Sequence, residues 1–162
     1  MSKQVVTKDV ENKTLTIKRE FDTSRERLWR AWSDASLLSR WWGPREWPAT
    51  TKSFDFSPGG HWHYFMTGPD GTQAWGWLGY KTIDAPDNFT AEDSFSNEAG
   101  EKNSELPHTH WDISLDGDSP TTLITTLTFT TEADLQKILD MGFEAGYTES
   151  LDQLEELSET EK

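Results

Sequence analysis

The sequence predicts an α+β domain in which antiparallel strands are followed by one long terminal helix. Three observations carry this. Over much of residues 14–130, apolar and polar residues alternate in short runs parted by Gly, Pro, Asn and Asp, the pattern of half-buried strands and tight turns. From residue 131 the period lengthens, and Leu135, Ile138, Leu139, Gly142, Phe143, Gly146, Tyr147, Leu151, Leu154 and Leu157 recur every three or four residues, as on one face of a helix. The 162 residues contain neither an internal repeat nor a low-complexity linker, and that length suits a single domain.

The elements follow in order. Residues 1–13 are polar and are expected to be a flexible N-terminus. Residues 14–21 form a strand with Leu15, Ile17, Arg19 and Phe21 on one side. Ser24 caps a short helix carrying Leu28, Trp29, Ala31 and Trp32, and Asp34 caps a second that ends at Gly43-Pro44. Phe54 and Phe56 close the next strand, and Pro58-Gly59-Gly60 turns the chain. Trp62, Tyr64 and Met66 then share one strand face, opposite His61, His63 and Phe65. Gly68-Pro69-Asp70-Gly71 is a hairpin turn. Strands over 73–83, 89–95, 108–115 and 122–130 complete a sheet of about seven, with an exposed, mobile loop at 97–107. Thr131 with Asp134 starts the long helix, and residues 158–162 are an acidic tail.

Composition limits the partners. Acidic residues outnumber basic ones 29 to 15, for a net charge of −14, which disfavours nucleic acid. Residues 1–60 hold 11 basic and 8 acidic groups, and residues 61–162 hold 4 and 21. That asymmetry is read as a solvated acidic surface, with a docking face for a basic partner as the alternative. There is no cysteine, so disulfides and thiolate chemistry are excluded. The sequence has no apolar run of membrane-spanning length and no signal-peptide core, so a cytoplasmic location is expected. Leu, Ile, Val and Phe make up just under a fifth of the chain, whereas there are nine Trp and three Tyr. The interior is therefore expected to be built from large flat rings, each burying roughly 150–250 Å², an arrangement that leaves room for a cavity.

Several motifs together carry a family resemblance: Trp29-Arg-Ala-Trp32, Trp41-Trp42-Gly43-Pro44, Phe54-Asp-Phe-Ser-Pro-Gly-Gly60, Gly68-Pro-Asp-Gly71, and Met141-Gly142 with Gly146-Tyr147, Ser150-Leu151-Asp152 and Leu154. Over about residues 14–157 the chain resembles the activator of heat-shock protein 90 ATPase homologue-like family, of the START/Bet v 1-like (SRPBCC) superfamily. Tyr147, where the family usually has Trp, and Ser57, where it usually has Arg before Pro58, depart from the pattern. The resemblance implies a helix-grip fold: a curved sheet wrapped on the C-terminal helix, the first strand beside the last, and an apolar cavity between sheet and helix.

Candidate chemistry is sparse. His61 with His63 and His108 with His110 are pairs at metal-ligand spacing. The implied strand order separates them by three spacings of about 4.8 Å, and both pairs oppose the apolar sets, so they are expected to face water and no metal is expected. Glu92 and Asp93 adjoin on a strand. One of them points inward unless the strand bulges; the plainer expectation is a strand end near solvent. Neither a G-x-S-x-G elbow nor a phosphate loop is present, and no catalytic constellation or cofactor is identified.

There remain the rings. Phe54, Trp62, Tyr64, Trp75, Trp77, Phe95, Met141 and Tyr147 are the candidate ligand-binding residues, their apolar walls and few polar tips suiting a small hydrophobic or aromatic ligand. A filled core is the alternative, and Trp75 and Trp77 are open to an outward orientation. The expected function is ligand binding without turnover. Stimulation of a chaperone ATPase, implied by the family resemblance, and a cyclase-like pocket enzyme are the alternatives. Oligomeric state is left open.

Overall fold

A computed structural model of the protein describes residues 4–103 and 105–160. Eight strands form one antiparallel sheet: β1 (Gln4–Asp9), β2 (Thr14–Phe21), β3 (Ala49–Phe54), β4 (His61–Thr67), β5 (Gln73–Asp84), β6 (Asn88–Phe95), β7 (Thr109–Gly117) and β8 (Thr121–Phe129). Their order is β1-β2-β8-β7-β6-β5-β4-β3. Helices α1 (Arg25–Ser33) and α2 (Ala35–Trp41) follow β2, and α3 (Glu132–Asp140) and α4 (Phe143–Thr160) follow β8. The caps read from the sequence are in place: Ser24, Asp34 and Thr131 accept from the backbone N–H groups of Arg27, Ser36 and Asp134. This is an α+β architecture, and one antiparallel sheet with a long C-terminal helix is consistent with a helix-grip fold. Among the described residues no helix is long and apolar enough to cross a membrane.

Three expectations are corrected. Residues 4–9 are not a flexible terminus but an edge strand paired with β2 from Gln4↔Arg19 to Asp9↔Thr14, so the sheet has eight strands and the two short helices follow the second; residues 1–3 lie outside the described residues. The helix expected to run on from residue 131 divides into α3 and α4, and α4 is the long C-terminal helix. Gly142 adopts φ +85°, a left-handed conformation that ends a helix at little cost for glycine, and it is exposed where a buried helical position was expected. Of the acidic tail, Ser158 to Thr160 belong to the last turn of α4, and residues 161 and 162 lie outside the described residues. In the loop after β6, Ser96 pairs with Lys102, and Asn97 exchanges hydrogen bonds with Glu101.

Indoles form the interior. Trp29, Trp32, Trp41, Trp42, Trp62 and Trp111 are buried and meet mostly edge to face, as between Trp32 and Trp41 (4.7 Å) and between Trp42 and Trp62 (5.3 Å). This geometry suits the ring quadrupole. Helix α4 closes the sheet with Tyr147, Leu151, Leu154 and Leu157. Two polar locks hold it. Arg19, 3% exposed, reaches from β2 to Asp152 at 2.7 Å and Glu155 at 3.5 Å on α4, and also donates to Gln4 Oε1 on β1. At the other side of the helix, Ser150 Oγ accepts from Gly43 N–H, and Gln153 Nε2 donates to the Gly43 carbonyl. Gly43 has φ +91°, and an added Cβ would lie 2.4 Å from the Trp47 carbonyl oxygen, so only glycine fits.

Candidate functional site

A cavity of about 250 Å³ lies between the sheet and the α3–α4 break. Its floor comes from inward-facing positions of neighbouring strands: Tyr64 and Met66 on β4, Asp93 and Phe95 on β6, Thr109 and Trp111 on β7. Phe143, Tyr147 and Ser150 of α4 cover it, and Trp42-Gly43-Pro44 closes one end. Met141, 53% exposed, stands at the break. Gly146 brings α4 close to Pro44: a Cβ there would lie 3.4 Å from the proline Cγ. That close approach is what this glycine accommodates.

Half of the expected lining residues are there. Tyr64, Phe95, Met141 and Tyr147 border the cavity. Trp62 does not: it is fully buried beneath Tyr64, with ring centroids 4.0 Å apart, and its indole N–H donates to Thr51. Phe54 packs instead against Phe56 and Tyr80. Trp75 and Trp77 are on the opposite sheet face. The register sets Phe65 against Trp75 and His63 against Trp77, and His61 stacks on Trp77 with ring centroids 4.2 Å apart. Loop 97–103 covers part of this outer ladder, and His63, 3% exposed, meets the Asn97 carbonyl there instead of facing water. His108 and His110 lie three strands away beside Ser94 and Glu92.

Gly76 explains how Tyr64 reaches the cavity floor. It pairs with Tyr64 across β4 and β5, and a Cβ on it would come within 2.6 Å of the tyrosine Oη and Cζ. The ring lies flat over a strand position that has no side chain. At the roof, Tyr147 Oη shares a 2.7 Å hydrogen bond with Thr125 Oγ1. Burial pushes both phenols well above their ordinary range, so they remain neutral hydrogen-bonding groups.

Asp93 is the residue that sequence reasoning placed wrongly. Its side chain points inward and lines the cavity, while the neighbouring Glu92 turns outward to His110 at 2.8 Å. The signal was available: Asp93 shares strand parity with Phe89, Ala91 and Phe95. Burial pushes its carboxyl up to about 7, against the opposing effects of the Trp111 indole and the Ser94 backbone N–H. Trp111 Nε1 is itself buried without a hydrogen-bond partner of good geometry. An acid poised near neutrality can hold a proton or a cation. Among the cavity-lining residues, however, no histidine, lysine, arginine or second carboxyl accompanies it.

Residues 22–159 match the protein family described as "Activator of Hsp90 ATPase homolog 1-like protein". The chain belongs to this family. A solution NMR structure of a protein from Arthrobacter aurescens is 41% identical, with a TM-score of 0.88 over 93% of this chain and 88% of that one. The crystal structure of Ms6760 from Mycobacterium smegmatis is 33% identical, with a TM-score of 0.88 and 96% of each chain covered. A protein from Staphylococcus epidermidis is 26% identical, with a TM-score of 0.85 over 98% and 95%. No curated protein matches. Membership of this Hsp90-activator-like family, with its SRPBCC-type neighbours, suggests ligand binding or chaperone-ATPase activation at family level.

Proposed function

We propose that the chain is a cytoplasmic binding protein that holds a small, largely apolar ligand between its sheet and the α3–α4 break, without turnover. One observation carries this reading: the interior is not filled, but leaves about 250 Å³ beneath Tyr147 and Phe143. An engineered cavity of roughly 150 Å³ suffices to bind benzene. The walls are aromatic and aliphatic, with Asp93, Thr109 and the two phenols as the few polar points that fix orientation. Among the cavity-lining residues Asp93 has no second carboxyl, histidine, lysine or arginine beside it, so the lining holds no acid–base pair.

Titration with toluene, indole and naphthalene tests the reading. Saturable binding should raise the melting temperature, with a gain of about 2.7 kcal/mol at a hundredfold excess over Kd. At about 2–4 °C per kcal/mol for a chain of this size, that is roughly 5–10 °C. Amide and methyl NMR shifts should centre on Met141, Phe143 and Tyr147. An unchanged spectrum and melting curve throughout a broad apolar library would overturn it.

A further inference from the structure

The cavity wall combines a ring-rich surface with a single formal charge. Trp42 contacts Tyr64, Trp111 and Tyr147 at centroid distances of 6.1, 5.7 and 6.3 Å, and Trp111 meets Tyr147 at 5.6 Å. These four residues border the same space as Asp93. Within the cavity lining, no basic side chain faces that carboxyl.

This arrangement discriminates among guests. A neutral apolar molecule would displace water from Asp93 and leave its carboxylate without a counter-charge, or force a proton onto it, and either costs free energy. An anionic guest would meet a like charge with no cation to hold it. A guest bearing an ammonium centre would neutralise Asp93 and gain from the aromatic surface, whose quadrupole attracts cations most strongly where water is excluded. Its apolar remainder would take the place of water beneath Phe143 and Ile138. We propose that the cavity selects a small organic cation, an aromatic or aliphatic amine, with its ammonium centre held between the Asp93 carboxylate and the rings of Trp42, Tyr64 and Trp111. This rests on the cavity being a binding site.

Benzyltrimethylammonium and its uncharged carbon isostere neopentylbenzene test the proposal, because they share a shape and differ in a fixed charge. By NMR titration at pH 8 the cation should bind about tenfold or more tightly than the isostere. Asp93→Asn should abolish that preference, weakening the cation and tightening the isostere, because no charge is then left uncompensated beside it. Equal or tighter binding of the isostere to the unsubstituted protein would overturn the cation and leave the cavity reading standing. Failure of both probes to bind would remove the cavity reading and this inference with it.

A pH series on the unsubstituted protein decides the matter even if Asp93→Asn does not fold. The groups facing Asp93 are Tyr64 from β4, Leu78 from β5, Thr109 and Trp111 from β7 and Tyr147 from α4, with Glu92 adjoining on the outer face beside His110. Both phenols lie above the range tested. Affinity for the cation should therefore fall between pH 8 and 5 as Asp93 takes up its proton, while that for neopentylbenzene rises as the uncompensated charge disappears. Constant cation affinity over that range would overturn the proposal.

Discussion

Replacing Asp93 by Asn should stabilise the ligand-free protein above pH 7 and change little near pH 4. The carboxyl is held at about 7 in the folded chain against an ordinary value of 3.8. The folded state therefore binds this proton more tightly than the unfolded state does. Between those two values the folded state carries more protons, so stability falls as pH rises. Above pH 7 the full penalty is present. Three units at about 1.4 kcal/mol each amount to about 4 kcal/mol. Asn keeps the shape and an acceptor towards Trp111 but has no charge to bury. Thermal unfolding of both proteins at pH 4.5 and pH 8, followed by circular dichroism, measures the difference. The gap in melting temperature should open from near zero to about 10 °C. Asp9, Asp34, Asp70 and Glu156, whose hydrogen bonds hold their carboxyls below the usual range, weaken both proteins alike in acid and cancel in the comparison. Parallel pH–stability curves for the two proteins would refute the burial argument.

Three glycine substitutions probe the frame. Gly76→Ala should cost about 1–3 kcal/mol in chemical denaturation, because the new methyl overlaps the Tyr64 ring and the ring is already stacked on Trp62. It should also weaken toluene binding, since the displaced ring has only the cavity to move into. Gly43→Ala and Gly142→Ala put the same residue type at φ +91° and +85°, yet should differ sharply. At Gly142 nothing lies within 4 Å of the added methyl, so the loss is about 1–2 kcal/mol of backbone strain. At Gly43 the methyl strikes the Trp47 carbonyl oxygen at 2.4 Å, so the chain must shift and the Ser150 and Gln153 hydrogen bonds go with it; equal losses at the two sites would count against that packing.

The sequence made β2 and β4 to β8 legible because each has one buried face, which imposes an alternating pattern. It concealed β1 because an edge strand buries little: Val5 is exposed and Val6 alone among its side chains packs on the core. The α3–α4 break was hidden for a related reason. Apolar residues continue at helical spacing through Gly142, and periodicity cannot report a change of axis. Strand parity placed Tyr64 correctly, but parity alone does not say which face of β5 is inward. That depends on its register against β4, which puts Gly76 beneath Tyr64 and turns Trp75 and Trp77 outward. Asp93 was misplaced by assuming that charge seeks water. The parity of Phe89, Ala91 and Phe95 pointed the other way, and it prevailed because one side chain cannot rotate a strand whose neighbours are anchored in the core.

Arg19 has a consequence for the chain ends. Its guanidinium is shared by Gln4 of the first strand and by Asp152 and Glu155 of the last helix, and Gln4 also donates to Thr148 of that helix. Peeling away either terminal segment takes partners from a cation that the other segment also holds. The beginning and the end of the polypeptide are thereby fastened by one ionic clasp, and trimming residues from one extremity loosens the opposite one.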